Sequence, residues 1–427
     1  MENPCRFRTR KFQWNDIYTF NTKNGEERIL FIMNNEKKLG FVQKTVVGAQ
    51  FLFVAFGATV LVPLLVGLAP SVALFTAGVG TLIFHAVTKG KVPIFLGSSF
   101  AFIAPIIKAT ELYGLPGTLF GLVGVGLVYG VMSLLIHLHG VGFISRLFPP
   151  VVVGPVIMLI GLSLAGTGVN MAKSNWFLAI IALLTTVAVS LFAKGLLRLI
   201  PIFAGIVVGY VASIFFGAVD FQPILDAEWF ALPAFVRPEI CWEAIIFMVP
   251  VAIAPVIEHI GDVYAINEVA GKDFVKDPGL HRTMLGDGLA CIASAVIGGP
   301  PVTTYSEVTG AISLTKITAP VVIRIAGLFG ILFSVLGKVS ALLKTIPESV
   351  LGGIMLLLFG TIASVGVNTL VKNNVDLGNT RNIVIASLIL TTGVGGAEMS
   401  IGSLTIGGIG LAALVGVILN LVLPRNR

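Results

Sequence analysis

Three carboxylates stand inside otherwise apolar runs of this chain, and their spacing suggests ligand and proton chemistry. Glu258 and Asp262 lie in VAIAPVIEHIGDVYAINEV (251–269), four residues apart and so on one helical face. Glu307 lies in GGPPVTTYSEVTGAI (298–312), just after a pair of prolines. A carboxylate at membrane depth costs about 2.5–3.5 kcal/mol on insertion scales, so such a residue is expected to face a polar cavity and to serve function. Two acids sharing a low-dielectric pocket repel, and the repulsion is relieved when one holds a proton, which is what proton coupling needs. His259 points about a quarter-turn away from Glu258; direct participation and a bond to a neighbouring helix are both open to it. Glu307 follows the proline break and is placed at the start of a half-helix, whose free N–H groups favour negative charge and can donate to a ligand carbonyl. Phe100 follows Ser98-Ser99 in the corresponding part of the first half of the chain. Core packing is the ordinary reading of a lone Phe, but its place in a break favours a flat face offered to a ligand.

The elements that must position these groups are membrane helices. The 427 residues are 56% hydrophobic and only 11% charged, and the mean hydropathy of +0.97 lies far outside the soluble range. Apolar runs of bilayer-spanning length recur from Val46 to Pro424, which predicts an all-α polytopic membrane protein with no soluble domain after residue 45. We count fourteen spans, among them Val92–Ile107, Leu115–Ile136, Trp242–Ile266, Met284–Gly299 and Val302–Thr318. The third and the tenth are broken. KVPIFLGSSFAFIAP (91–105) and GGPPVTTYSEVTGAI each begin at proline, pass through β-branched or aromatic residues and continue into small and hydroxyl residues, so short extended strands are expected there. Each is third in its own half of seven, the pattern of an inverted-repeat transporter with its site near the midplane. Backbone left unpaired at that depth must line a cavity or face protein.

Residues 1–45 are expected to form a basic cytoplasmic tail, with an interfacial anchor as the alternative. Threading the spans from a cytoplasmic N-terminus puts Lys89/Lys91, Arg146, Lys194/Arg198, Lys272/Lys276/Arg282, Lys372/Arg381 and Arg425/Arg427 on the tail's side. The acidic 220–241 connection falls outside, as do the dissenting Lys108, Lys173, Lys338 and Lys344. The net charge of +7 is therefore read as topology and not as a nucleic-acid surface. Cys5, Cys241 and Cys291 form no C-x-x-C pair, and the five histidines lack zinc spacing, His137 and His139 suiting an interfacial place; no metal site or cofactor is expected, with the proton as coupling ion. No nucleophile–base or metal constellation of an enzyme is present, nor the continuous polar stripe of a channel.

At these residues the sequence closely resembles the nucleobase:cation symporters, the nucleobase–ascorbate transporter family, and within it the bacterial uracil permeases. The resemblance rests on FGATVLVP (56–63), FLGSSFAFIAP (95–105), EHIGD (258–262), DPGLHRTMLGDGLA (277–290), TTYSEVTGAISLTK (303–316) and GGIMLLLFG (352–360), and so spreads over nearly everything after residue 45. It implies a transmembrane transporter domain, 46–427, built as a seven-plus-seven inverted repeat and split into a core (46–137 and 242–342) and a gate (149–219 and 346–423). It further implies a homodimer in the bacterial inner membrane, with both termini cytoplasmic, working by an elevator-like motion. The activity implied is uracil import by proton symport, with xanthine or another purine as the alternative cargo. Glu258 and Glu307 would bind the base, Phe100 would pack on its ring, backbone at Tyr305 and Ser306 would contribute, and Phe359 matches an aromatic position near the same pocket. Proton coupling would fall to Asp262, Glu258 and His259. The chain departs from the uracil-permease pattern in carrying Asp262 in place of a histidine, and from the family signature in carrying Val308 and Val302 at places commonly held by asparagine. Uracil is flat and neutral, with N–H donors that suit carboxylates and carbonyls that suit half-helix N–H groups. A sulfate or dicarboxylate transporter of similar architecture would want cationic or hydroxyl anchors, which Glu258 and Glu307 oppose.

Overall fold

The computed structural model describes residues 40–401 and 404–424, so nearly all of the expected basic tail lies outside the described residues. The first half runs α1 (Phe41–Leu65), α2 (Pro70–Val87), β1 (Leu96–Ser98), a 3₁₀ turn at Phe100–Phe102, α3 (Ile103–His139), α4 (Val141–Leu147), α5 (Pro150–Lys173), α6 (Trp176–Phe192), a 3₁₀ turn at Gly195–Leu199 and α7 (Pro201–Phe215). After the short α8 (Gln222–Asp226) come α9 (Trp242–Met248), a 3₁₀ turn at Val249–Ala252, α10 (Ile253–Ala270), α11 (Leu280–Ile297), β2 (Val302–Thr304), α12 (Ser306–Thr315), α13 (Pro320–Ser334), α14 (Gly337–Lys344), α15 (Glu348–Lys372), α16 (Thr380–Val394), β3 (Glu398–Ile401), β4 (Leu404–Gly407) and α17 (Gly408–Val422). Six helices among the described residues are long and apolar enough to cross a membrane, and five shorter apolar helices accompany them. The protein is thus a mostly helical, multi-pass membrane fold.

Several boundaries differ from the sequence expectation, each for a local reason. The expected boundary between Val92–Ile107 and Leu115–Ile136 falls at a break in α3, where Gly114 (φ 70°, ψ 166°) is non-helical, a conformation a glycine adopts without strain, but Val92–Ile107 begins as extended chain and is α-helical only from Ile103. The span expected at Trp242–Ile266 is segmented, because Pro250 tightens the chain into a 3₁₀ turn before α10 continues to Ala270. The span expected at Val302–Thr318 is strand first and helix second, and the helix ends at Thr315.

The helices pack in two groups. In one, α3 lies along α11 and α9, while α2 lies along α11 and α13, and α13 also packs on α1. In the other, α15 lies along α5 and α6, α6 along α7, and α16 between α5 and α17. Lipid tails are as apolar as leucine, so helix contacts in a membrane rely on close packing across small residues. The α5–α15 seam illustrates this. A Cβ on Gly161 would meet Ala363 N at 2.7 Å as well as the Phe359 carbonyl, and one on Gly366 would meet the Gly154 carbonyl at 2.5 Å.

A seam of this kind cannot take an added methyl without separating. We expect Gly161→Ala to cost about 1–3 kcal/mol by overpacking, seen as a lower melting temperature of purified protein in detergent. Gly166→Ala, on the same helix but with nothing within 4 Å of its Cβ position, is expected to leave the melting temperature unchanged or slightly raised.

Candidate functional site

The two broken spans meet each other. β1 and β2 pair antiparallel, Leu96 opposite Thr304, Gly97 opposite Thr303 and Ser98 opposite Val302. Two further backbone bonds extend the ladder: Ser99 N–H donates to the Pro301 carbonyl (3.0 Å) and Tyr305 N–H to the Phe95 carbonyl (3.1 Å). Prolines 93, 300 and 301 keep helix from forming here, and a two-stranded ribbon leaves outer edges that lipid cannot satisfy. Side chains from the surrounding helices satisfy them. Thr81 Oγ1 accepts from Leu96 N–H (3.0 Å) and His85 Nε2 lies 3.1 Å from the Ile94 carbonyl. Cys291 Sγ donates to the Val302 carbonyl (3.0 Å) and Ser294 Oγ to the Pro300 carbonyl (2.5 Å), while the strand's own Ser98 Oγ reaches out to donate to the Thr59 carbonyl of α1 (3.2 Å). Gly97 has no Cβ because Tyr305's ring and Thr59's hydroxyl occupy that space.

Each strand then turns into a helix start, and the side chains left open there are few. From Val92 to Ile103 every residue is buried except Phe100, which is half-buried at the first position of its 3₁₀ turn. From Gly298 to Tyr305 every residue is buried, and the next two, Ser306 and Glu307, are exposed at the first turn of α12. On α10, which packs on α12, Glu258 is exposed between buried neighbours. Glu258 lies in the field of Asp262, Glu307 and Asp287. The structure therefore brings Glu258 and Glu307 to one region, with the Glu307 carboxylate on its own backbone N–H at the open start of α12.

Asp262 has a different setting from its helical neighbour. It is buried, and both oxygens are occupied: Oδ2 accepts from Thr304 Oγ1 at 2.6 Å and Oδ1 from Ser306 Oγ at 2.5 Å. It ties the second broken segment to α10. His259 turns away toward α11, with Nδ1 2.9 Å from Asp287 Oδ2 and Nε2 2.9 Å from Thr283 Oγ1, and both it and Asp287 are fully buried. Of the two possibilities open to His259, the structure has the bond to a neighbouring helix. Tyr305 is buried under the strands and donates its hydroxyl to the Ser98 carbonyl (2.7 Å). Phe359 is buried on α15 with its ring beside Gly168 of α5, and is not open to the space that Glu258 and Glu307 share.

Asp287 and the strand-holding Thr59, Thr81, His85, Cys291 and Ser294 had no assigned role in the sequence reading. Asp287 was findable by the reasoning that found Glu258, since it is a carboxylate within a membrane-length helix, four residues from Thr283 and on the same face. The strand holders carried no such signal, because a lone hydroxyl or thiol in an apolar helix commonly bonds its own backbone.

Comparison with known proteins places this geometry. A family model described as "Permease family" matches residues 42–401. The "Probable uracil permease" of Haemophilus influenzae is 50% identical over 405 residues, 93% of this chain and 97% of that protein. The uracil permease of Bacillus subtilis is 45% identical over 399 residues, 88% and 92% of the two chains. Among solved structures, the transmembrane domain of the cyanobacterial bicarbonate transporter BicA matches with a TM-score of 0.59 at 15% identity, over 90% of this chain and 99% of that one. The murine Slc26a9 anion transporter in its inward-facing state matches with a TM-score of 0.67 at 11% identity, over 95% and 72%. At such identities the likeness is one of fold.

The buried His259–Asp287 pair generates a prediction. Truncating one member leaves the other without its partner in a dry interior, a change worth about 3–5 kcal/mol. His259→Ala is therefore expected to lower the melting temperature sharply. His259→Leu combined with Asp287→Leu should recover much of that loss in a double-mutant cycle on purified protein.

Proposed function

The chain belongs to this permease family, a membrane transporter and not an enzyme, and from that membership we propose that it imports uracil by proton symport. The observation that carries the reading is the meeting of Glu258 and Glu307 where β2 turns into α12, with Phe100 half-buried at the corresponding turn after the partner strand β1. Two carboxylates and the N–H groups at the start of α12 match the donors and acceptors around a pyrimidine's edge, and Phe100 offers an apolar face for its ring. The backbone of Tyr305 and Ser306 is next to hand, and Phe359 acts on the pocket through the α5–α15 seam.

Proton coupling rests on Asp262 with Glu258, one helical turn apart and in each other's field; His259 supports them through Asp287. The coupling ion is the proton, and no further cofactor takes part. The packing in two groups supports a core of 46–137 and 242–342 that moves against a gate of 149–219 and 346–423 in an elevator-like cycle. The fourteen-span inverted repeat, the homodimer, the bacterial inner membrane and the cytoplasmic termini complete this reading, with the lysine and arginine distribution as the support for orientation.

Two measurements test it. Glu258→Ala and Glu307→Ala should each abolish saturable uracil binding to purified protein, and Phe100→Ala should weaken it up to about tenfold, in line with loss of ring stacking. Unchanged affinity in both glutamate variants would remove the site assignment, and competition by xanthine at least as strong as by unlabelled uracil would move the cargo to purines.

Asp262→Asn keeps an oxygen for one of the two hydroxyls and removes the second charge. Uracil binding is expected to survive, while uphill uptake driven by a proton gradient and its pH dependence weaken, and exchange of internal for external uracil changes less. Accumulation with the wild-type pH profile would make Asp262 a purely structural tie.

A further inference from the structure

A cavity of about 470 Å³ lies at the far end of α10, away from the two open glutamates. Ala270, the last residue of α10, stands about 18 Å along the helix axis from Glu258, at 1.5 Å per residue. One wall of the cavity is the turn after α2, with Gly90 and Lys91. A second is the connection from α10 to α11, with Lys272, Asp273, Phe274 and Asp277, and Pro320 at the start of α13 forms a third. On the orientation proposed above, this end faces the cytoplasm.

Buried contacts fix these walls. Gly271 ends α10 in the left-handed conformation (φ 66°), and the buried Asn267 accepts from Phe274 N–H through Oδ1 at 2.9 Å. Phe274 is itself buried, and Asp277 N–H donates to the Asp273 carbonyl at 3.0 Å. Lys91 Nζ donates to both Asp277 oxygens, at 2.5 and 2.6 Å, and so ties the first wall to the second.

The charges on the walls do not cancel. Asp277 is taken by Lys91, and Asp273 lies 3.4 Å from Lys276. Lys272 has no acid within ion-pair distance among the described residues, and neither has Arg324. Arg324 is one turn beyond Pro320 on the same face of α13, with Nη1 4.0 Å from where a Cβ on Gly90 would stand. Two cations on separate walls are thus left over, around a space of the size that takes a small molecule and not a bare ion. Basic pockets at the cytoplasmic ends of membrane helices suit anionic headgroups.

We propose that this cavity binds a phosphate-bearing anion. Lys272 and Arg324 hold the phosphate from two sides, while the Lys91–Asp277 pair and the apolar surface of Phe274 and Pro320 meet the rest of the molecule. The headgroup of an anionic lipid and a soluble organic phosphate carry the same chemistry. Occupancy of the cavity is independent of the cargo proposed above.

The test uses the purified full chain, stripped of lipid in a neutral detergent, with the melting temperature read during titration, since a ligand of the native state raises it. The probes are dihexanoyl phosphatidylglycerol and glycerol 3-phosphate, with dihexanoyl phosphatidylcholine as the zwitterionic control. Phosphatidylglycerol should give a saturable rise, and phosphatidylcholine none. Lys272→Gln and Arg324→Gln should each weaken the apparent affinity about fivefold or more, in line with loss of a charge-assisted hydrogen bond. Lys372→Gln, at the end of α15, should titrate as the wild-type chain does. Lys272→Arg and Arg324→Lys keep the charge, and binding retained in them supports the site even if a glutamine variant melts early. Glycerol 3-phosphate that saturates at lower concentration, through the same two residues, keeps the site and makes its ligand a soluble phosphate. No saturable rise with either phosphate, an equal rise with phosphatidylcholine, or glutamine variants that titrate as the wild-type chain does would overturn it.

Discussion

Backbone polar groups cannot be left bare inside a membrane, and the site depends on how this chain meets that constraint. Helix interrupted by Pro93, Pro300 and Pro301 frees carbonyls and N–H groups at a depth where lipid offers no partner. β1 and β2 satisfy their inner edges against each other, hydroxyls, a thiol and an imidazole from α2 and α11 meet the outer ones, and the Ser98 hydroxyl anchors β1 to the Thr59 carbonyl of α1. Every one of these partners is buried. Once the ribbon is fixed, the two helix starts that follow it are fixed as well, and with them Phe100 and Glu307.

The same economy separates the acids by task. Asp262 spends both oxygens on Thr304 and Ser306, on either side of the strand-to-helix turn, so it holds the segment whose next residue is Glu307. Asp287 holds His259, and His259 spans from Asp287 to Thr283, locking α10 to α11. Glu258 lies on the one face of α10 that these ties leave open. A carboxylate can be kept unpartnered only if its surroundings are rigid enough that it cannot collapse onto a neighbour, and the buried ties on both sides supply that rigidity.

How much of this was legible follows from what each feature looks like in one dimension. Acids in apolar runs are conspicuous, so Glu258, Asp262 and Glu307 stand out as candidates, and the two breaks are legible because proline followed by hydroxyl residues interrupts a helical pattern. Phe100 stands out through its place in a break, not its type. The segmentation at Pro250 was missed because a single proline in an apolar run is compatible with a straight span. The different settings of Glu258 and Asp262 were also hidden: spacing puts both on one face, but only the packed β2–α12 turn determines which is covered. An open glycine such as Gly166 and one that seats a neighbouring helix, such as Gly161, also look alike until the neighbours are in place.

That last contrast bears on how the fold is shared by proteins that handle very different cargo. The bicarbonate transporter BicA and the Slc26a9 anion transporter match this chain's architecture at 15% and 11% identity. What a membrane fold of this kind must keep is a way of pairing the broken backbone and of seating helices closely, and both can be met by many combinations of hydroxyls and small residues. What it is free to change is the handful of side chains left open where the ribbon turns into helix. In this chain those include two carboxylates and a half-buried aromatic ring, and on the function proposed above that set repels small anions and suits a flat molecule with N–H donors. On that reading, function is a property of the exceptions to burial, and those exceptions can be altered without disturbing the ladder that positions them.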